Sequence, residues 1–186
     1  MRDQPFPNRL RRRLLAGLGG LPLLLNGAFA RAQSGAPRAL DFVHTHTDEK
    51  LSVVYFDNGV YLPDALSAVE RLLRDFRTGE RHPIDAGLLD ILHDLRRAYG
   101  GGRFEIISAY RSPDTNATLA GKSGGVARNS LHMQGKAIDV RLTGRDTASL
   151  RDAAIALARG GVGYYPRSNF VHLDTGRVRR WGPQKT

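Results

Sequence analysis

Residues 130–139 read Ser-Leu-His-Met-Gln-Gly-Lys-Ala-Ile-Asp, a stretch that sets an imidazole and a carboxylate seven positions apart across a glycine. From Lys136 to Leu142 apolar and polar side chains alternate, which is typical of a half-buried strand. We therefore predict that Asp139 lies in a strand and that His132 lies on the turn before it. Gly135 would allow the close backbone bend that joins the two.

A second apolar run, Phe-Val-His-Leu-Asp at residues 170–174, offers His172 as a third metal ligand. Two imidazoles and one carboxylate leave the fourth coordination position of a zinc ion open for water, which is the pattern of a catalytic zinc site. On spacing alone, an alternative stays open. A histidine beside an apolar strand is more often a half-buried side chain with no ligand role, and an aspartate in a strand can simply bond a turn.

The motif Ser-x-His-x-x-Gly-x-Ala-x-Asp, which runs from Ser130 to Asp139, resembles the signature of the LAS zinc peptidases. That superfamily includes D-Ala-D-Ala carboxypeptidases, murein endopeptidases and the hedgehog signalling domain. Residues 108–116 (Ser-Ala-Tyr-Arg-Ser-Pro-Asp-Thr-Asn) and residues 161–176 extend the likeness. Together these segments are most similar to the murein endopeptidase K family, over nearly all of the chain after about residue 39.

The resemblance implies a zinc ion bound by His132, Asp139 and His172, and hydrolysis of peptide crosslinks between the stem peptides of peptidoglycan. Zinc lowers the pKa of its water from 15.7 towards about 7, which makes hydroxide available at neutral pH. Arg111 is expected to stabilise the oxyanion, although without the surrounding Tyr-Arg-Ser-Pro motif a surface ion pair would be preferred. The substrate-binding residues are expected to be Tyr110, Asn116 and Ser130.

The general base is not evident from the sequence. Many relatives carry an acid three residues before the last ligand or a histidine two residues before it, and here Asn169 and Phe170 occupy those positions. Asp174 follows His172 by two residues, so it could serve as the base or as a hydrogen-bond partner of a ligand. If neither role holds, the alternative is a noncatalytic, zinc-stabilised peptidoglycan-binding module.

Residues 1–32 have the pattern of an export signal. Three arginines, Arg11, Arg12 and Arg13, precede a short apolar run that ends in Ala28-Phe29-Ala30. Paired arginines suggest the twin-arginine route, with cleavage after Ala30 or Ala32. An uncleaved anchor is disfavoured because glycines and a proline break the run. We predict a flexible leader at 33–38, a zinc peptidase domain at 39–186 and a periplasmic location, with membrane contact only during export.

The charge balance argues against a nucleic-acid partner. Residues 1–32 contain six arginines and one aspartate, so their removal lowers the net charge from +10 to +5. A mildly basic exported protein suits an anionic polymer such as the cell wall. The chain contains no cysteine, so its fold cannot depend on disulfides. We expect a monomer that is held by its hydrophobic core and its metal.

Hydrophobic periodicity predicts an α+β domain in which helices pack around a small, mainly antiparallel sheet. A mobile loop is predicted at 121–125, and the crosslink specificity is expected to depend on residues 121–128 and 164–169. Four histidines are interpreted as structural: His44, His46, His82 and His93. Strands are predicted at 40–44, 51–56, 104–110, 162–165 and 170–174. Helices are predicted from Pro63, after an N-cap at Asp85, around Asn116, and from an N-cap at Thr147 to Arg159, where Gly160 and Gly161 are expected to end the helix.

Overall fold

The computed structural model describes residues 36–122 and 127–183. The predicted export signal, residues 33–35 of the leader and residues 123–125 of the predicted loop lie outside these residues, whereas Gly121 and Lys122 are the last residues of a helix and not part of a loop. The elements run in the order β1 Arg38–His44, β2 Lys50–Asp57, β3 Val60–Tyr61, α1 Pro63–Leu72, α2 Ala86–Ala98, β4 Phe104–Ser108, α3 Pro113–Lys122, β5 Ala137–Leu142, α4 Thr147–Leu157, β6 Gly161–Tyr165, β7 Phe170–Asp174 and β8 Arg179–Trp181. Short 3₁₀ turns lie at Leu131–Gln134 and Pro166–Ser168.

The strands of the described ranges form one mixed sheet of eight in the order β3-β2-β1-β4-β5-β7-β6-β8. The α+β class is confirmed, and so is a mainly antiparallel sheet, since five strand pairs are antiparallel and two are parallel. With eight strands, the sheet is larger than predicted. β1 and β4 are parallel because α1 and α2 intervene between them in the chain. β8 is parallel to β6 because the chain crosses β6 after β7. With only three residues, β8 is too short to show a two-residue period.

The apolar stripe of α2 packs against the middle of the sheet and forms the core. The side chains involved are fully or almost fully buried and belong to α2, β1, β4 and β5: Leu88, Leu89, Leu92, Leu95, Leu40, Phe42, Phe104, Ile106, Ile138 and Val140. Asp85 caps α2 as predicted, since its carboxylate accepts a hydrogen bond from Gly87 N at 2.9 Å. No helix within residues 36–122 and 127–183 is long and apolar enough to cross a bilayer.

Both ends of α4 differ from the prediction. The N-cap is Asp146, whose carboxylate accepts from Ser149 N at 2.9 Å, whereas Thr147 is the first helical residue. A carboxylate one residue earlier satisfies the free N–H groups of the first turn, so Thr147 is not needed as a cap. The helix ends at Leu157, because Ala158 adopts a left-handed conformation with φ of 50°, before the glycines that were expected to end it.

One lateral row of paired residues crosses five strands and prepares the candidate site. Ser108 pairs with Asp139, Asp139 with His172, His172 with Gly163, and Gly163 with Trp181. Laterally paired residues of a pleated sheet project to the same face. The carboxylate of β5 and the imidazole of β7 are therefore neighbours on one face of the sheet, as a shared metal requires.

Candidate metal centre

Three side-chain atoms of the predicted ligands face one another at the same end of the sheet. His132 Nε2 lies 3.2 Å from His172 Nδ1 and 3.3 Å from Asp139 Oδ1, and His172 Nδ1 lies 2.8 Å from Asp139 Oδ1. Ligands placed tetrahedrally at 2.0–2.1 Å from zinc are separated by roughly 3.3 Å. The donor set and the spacing therefore fit a zinc ion bound by these three residues.

His132 reaches the site from the 3₁₀ turn and is held by two contacts. The Ser130 hydroxyl accepts a hydrogen bond from His132 N at 3.3 Å and begins the turn. The ring Nδ1–H donates to the carbonyl of Ala109 at 2.6 Å, so Nε2 carries the lone pair that faces the site. Burial lowers the pKa of His132 and keeps the ring neutral, which is the form that binds a metal.

The turn that joins His132 to β5 requires glycine at position 135. Gly135 has φ of 63°, and a Cβ there would collide with the Pro83 carbonyl oxygen. Asp85 N donates to Gly135 O at 3.0 Å, which ties the turn to the start of α2. The predicted close backbone bend at this glycine is confirmed. The tight contact with the loop at Pro83 is a second reason why this position requires glycine.

His172 is oriented from behind by Asp174. Its Nε2–H donates to Asp174 Oδ2 at 3.0 Å, which leaves Nδ1 facing the other two ligands. The buried carboxylate of Asp174 also accepts hydrogen bonds from Gly161 N, Gly176 N and both terminal nitrogens of Arg179, at 2.8–3.1 Å. Burial opposes its ionisation, but the donors, His172 first among them, lower the pKa of Asp174 well below its usual range.

Asp139 uses its two oxygens differently. Oδ1 faces the histidines, whereas Oδ2 accepts from Arg111 Nη2 at 2.9 Å, and Arg111 Nε in turn donates to Ser108 Oγ at 3.1 Å. Burial would raise the pKa of Asp139, but the adjacent His132 and His172 lower it further than burial raises it. The carboxylate is therefore ionised and ready to bind a cation. Arg111 fixes its orientation from the side away from the histidines.

The three ligands open into a pocket of about 440 Å³. Its walls come from the 3₁₀ turn and the residues before it, from the end of β4, and from β6, β7 and β8. The lining consists of Arg111, Ala127, Asn129, Ser130, Leu131, His132, Asp139, Tyr165, Phe170, His172, Arg179 and Trp181. A pocket of this size can hold part of a peptide beside the three candidate ligands in its wall.

Comparison with known proteins agrees with this geometry. A family model described as peptidoglycan L,D-endopeptidase MepK matches residues 32–181. The chain belongs to this family. Peptidoglycan L,D-endopeptidase MepK of Escherichia coli strain K12 is 42% identical over 176 residues, which cover 92% of this chain and 96% of the relative, and the protein of that name from Shigella flexneri gives the same figures. The "Probable peptidoglycan L,D-endopeptidase MepK" of Haemophilus influenzae is 39% identical over 164 residues, with 87% and 88% covered.

Two of the expected substrate-binding residues of this MepK-family chain do not line the pocket. The Tyr110 hydroxyl donates to Glu80 Oε1 at 2.6 Å and its ring stacks on His82, so burial, helped by Glu80, raises the pKa of Tyr110 to about 12. Asn116 donates instead to the carbonyls of Ala127 and Arg128, at 3.1 and 3.3 Å. Both side chains face protein partners, and only Ser130 of the three lies at the pocket wall.

Three residues of the lining lie outside every segment that the sequence analysis singled out: Asn129, Arg179 and Trp181. Trp181 lies 5.1 Å from His172 between ring centroids, and Arg179 holds Asp174. Both belong to the three-residue strand β8, whose pattern carries no periodic signal. The one available clue was compositional, because Trp181 is the only tryptophan of the chain.

Over the described residues, the pocket lining receives no proton acceptor from Asn169, Phe170, His44 or His46. Asn169 accepts a hydrogen bond from the Thr147 hydroxyl at 3.0 Å and is absent from the pocket lining, which does include Phe170. His44 and His46 pack around Phe76, with centroids at 5.4 and 4.2 Å, and do not line the pocket. Burial, with His46 nearby, lowers the pKa of His44 to about 4.

Proposed function

We propose that the chain is a zinc-dependent murein endopeptidase that hydrolyses peptide crosslinks between the stem peptides of peptidoglycan. The observation that carries the proposal is the triangle of His132, Asp139 and His172, with edges of 2.8–3.3 Å, at the wall of a peptide-sized pocket. Membership of a family described as a peptidoglycan L,D-endopeptidase supports the substrate class. The names of the curated relatives support it independently.

His132, Asp139 and His172 would hold the zinc ion. When bound, zinc supplies Lewis acidity, which polarises a carbonyl and makes water more acidic. Arg111 lines the same pocket, and its guanidinium is positioned by Asp139 and Ser108. We assign it the stabilisation of negative charge on the scissile carbonyl oxygen, because a pre-oriented cation in a buried wall needs no reorganisation during the reaction.

Asp174 is assigned to His172 and not to the substrate. Its side chain is buried behind the imidazole, where both oxygens are occupied by donors, and it is absent from the pocket lining. A general base must come within hydrogen-bond reach of the proton it removes. Of the two roles that the sequence left open, the partner of a metal ligand is the one that these contacts support.

A noncatalytic, zinc-stabilised peptidoglycan-binding module is the second candidate. One observation favours it: in the part of the chain that the structure describes, the pocket lining contains no carboxylate or imidazole besides the three ligands. A separate acid/base group typically contributes a factor of roughly 10² to 10⁴ to such a reaction. The two candidates share the metal site and differ in turnover.

Crosslink hydrolysis separates the two candidates. Purified protein is incubated with disaccharide-peptide dimers released from peptidoglycan by a muramidase, with and without a zinc chelator. We expect dimers to be converted into monomers, conversion to stop with chelator, and added zinc to restore it, because only three protein groups hold the ion. Dimers that persist while still binding to a zinc-loaded protein would identify the noncatalytic module.

We propose a periplasmic location, reached by the twin-arginine route. The support is the sequence pattern of residues 1–32 together with a substrate that lies outside the cytoplasm. Exchange of Arg11 and Arg12 for lysine is expected to block export, because that route recognises guanidinium groups while the charge stays constant. Fractionation of cells with immunodetection measures the exported share. Unchanged export of the double variant would contradict this route and indicate the general secretory one.

A further inference from the structure

Three aromatic residues, Tyr165, Phe170 and Trp181, line the pocket and are here called the aromatic wall. Tyr165 and Phe170 are paired across β6 and β7, and their rings stack with centroids 4.6 Å apart. The Trp181 indole N–H donates to the Tyr165 hydroxyl at 2.9 Å. The three side chains therefore form one connected surface, and Trp181 brings it next to His172.

Two glycines of β6 make this arrangement possible. Gly161 and Gly163 lie on the face that carries the ligands, opposite Asp174 and His172 in the register. A Cβ at Gly163 would lie 2.5–2.7 Å from three atoms of the Trp181 indole, and a Cβ at Gly161 would collide with Arg179 and Asp174. Because β6 carries no side chain at these two positions, the side chains of β8 can lie across it and reach His172 and Asp174 on β7.

Trp181 is more exposed to solvent than the buried side chains around it. His172 and Asp139 are nearly excluded from solvent, whereas Trp181 is half-buried and contributes to the pocket wall. Its N–H is already satisfied within the protein, so the surface that remains for a ligand is the apolar aromatic ring. An indole offers a large rigid contact area to aliphatic chains and peptide planes.

We infer that Trp181 is a substrate-binding residue, whose indole packs against the aliphatic and peptide-plane surface of the stem peptide beside the scissile bond. Gly163 is the positioning residue that leaves room for it. This inference rests on the proposed function and adds to it a contact that the signature motif does not contain. It accounts for the hydrogen bond from Trp181 to the Tyr165 hydroxyl, for the glycine at position 163 and for the location of the indole beside His172.

The test uses the single tryptophan of the chain as its own reporter. Emission from Trp181 is recorded while muramidase-released peptide dimers are added to the purified protein, and the kinetics of dimer hydrolysis are measured in parallel. We expect saturable emission changes in the wild type. Trp181→Leu is expected to raise KM about tenfold, the scale of a lost aromatic contact, with zinc content unchanged and a smaller effect on kcat. Gly163→Ala should raise KM similarly and weaken the emission response.

Tyr61→Leu is the matched control, because it makes a comparable exchange on β3, at the opposite edge of the sheet. It is expected to leave KM unchanged. Cleavage by the wild type together with unaltered KM in Trp181→Leu would overturn the inference and leave the proposed function standing. Loss of zinc or of kcat at constant KM would also overturn it, since Trp181 would then act only by packing on His172. A wild type that cleaves no dimers would overturn the proposed function and this inference with it.

Discussion

His132→Ala is expected to remove bound zinc and hydrolytic activity together. The substitution deletes one of three ligand atoms that lie within 3.3 Å of one another, and it also deletes the ring that bonds the Ala109 carbonyl. Zinc contributes several kcal/mol to such a reaction, so turnover should fall by roughly 10³ or more. Metal content by mass spectrometry and dimer hydrolysis, measured on the same sample, check the result. His172→Ala should behave alike.

His46→Ala provides the matched control for the loss of a histidine. His46 is exposed, stacks on Phe76 and lies outside the pocket lining. The zinc content and turnover of the His46→Ala protein should therefore equal those of the wild type. The comparison separates the loss of a ligand from the general loss of an imidazole. A His132→Ala protein that keeps one zinc ion per chain and full turnover would contradict the proposed ligand set.

Asp174→Asn is expected to weaken both zinc binding and the fold. Every group that contacts this carboxylate is a donor: the His172 imidazole, two backbone N–H groups and the Arg179 guanidinium. An amide presents its own N–H groups to some of those donors and removes the charge that offsets Arg179. We expect zinc affinity to fall 10–100-fold and unfolding free energy to fall by about 3 kcal/mol. Zinc titration and denaturant unfolding measure the two effects.

Activity at saturating zinc distinguishes the two roles of Asp174. If the carboxylate only orients His172, a fully loaded Asp174→Asn protein should recover turnover to within about tenfold of the wild type. If it is the general base, turnover at full occupancy should stay roughly 10²–10⁴-fold lower. Asp152→Asn is the matched control, because Asp152 is an exposed aspartate on α4, paired with Arg151 away from the site. It should change neither zinc affinity nor turnover.

The meeting of the three candidate ligands was predictable because local sequence patterns assign defined positions to them. Alternation after Gly135 indicated a strand for Asp139, and a short β-rich run indicated another for His172, so two ligands had defined positions within elements. Gly135 marked the turn that carries His132. The structure joins these elements laterally, with Asp139 directly opposite His172. The resemblance had already implied that the three residues belong to one site.

Tyr110 and Asn116, which were predicted to bind substrate, do not line the pocket, because a motif identifies neighbours in sequence but not the directions of their side chains. Tyr110 and Arg111 are adjacent in the loop after β4, yet only Arg111 lines the pocket, since the Tyr110 hydroxyl bonds Glu80 while the Arg111 guanidinium bonds Asp139. Asn116 is close to the motif in sequence, but its amide holds the backbone that precedes Ser130. Such distinctions depend on contacts with Glu80 and with residues 127–128, which no local pattern encodes.

By itself, the sequence determined the glycine turn, the α+β class and the cap of α2, because each of these depends on residue type at short spacing. The three candidate ligands were named by the sequence together with its resemblance to a known family. Only the tertiary structure decided that Asp174 faces His172 from behind, that Arg111 holds Asp139, and that β8 completes the pocket. Those features depend on the directions of side chains and on contacts between separate segments, such as Arg111 with Asp139 and β6 with β8. Trp181 reaches His172 only because β6, which lies between their strands, is bare at Gly163.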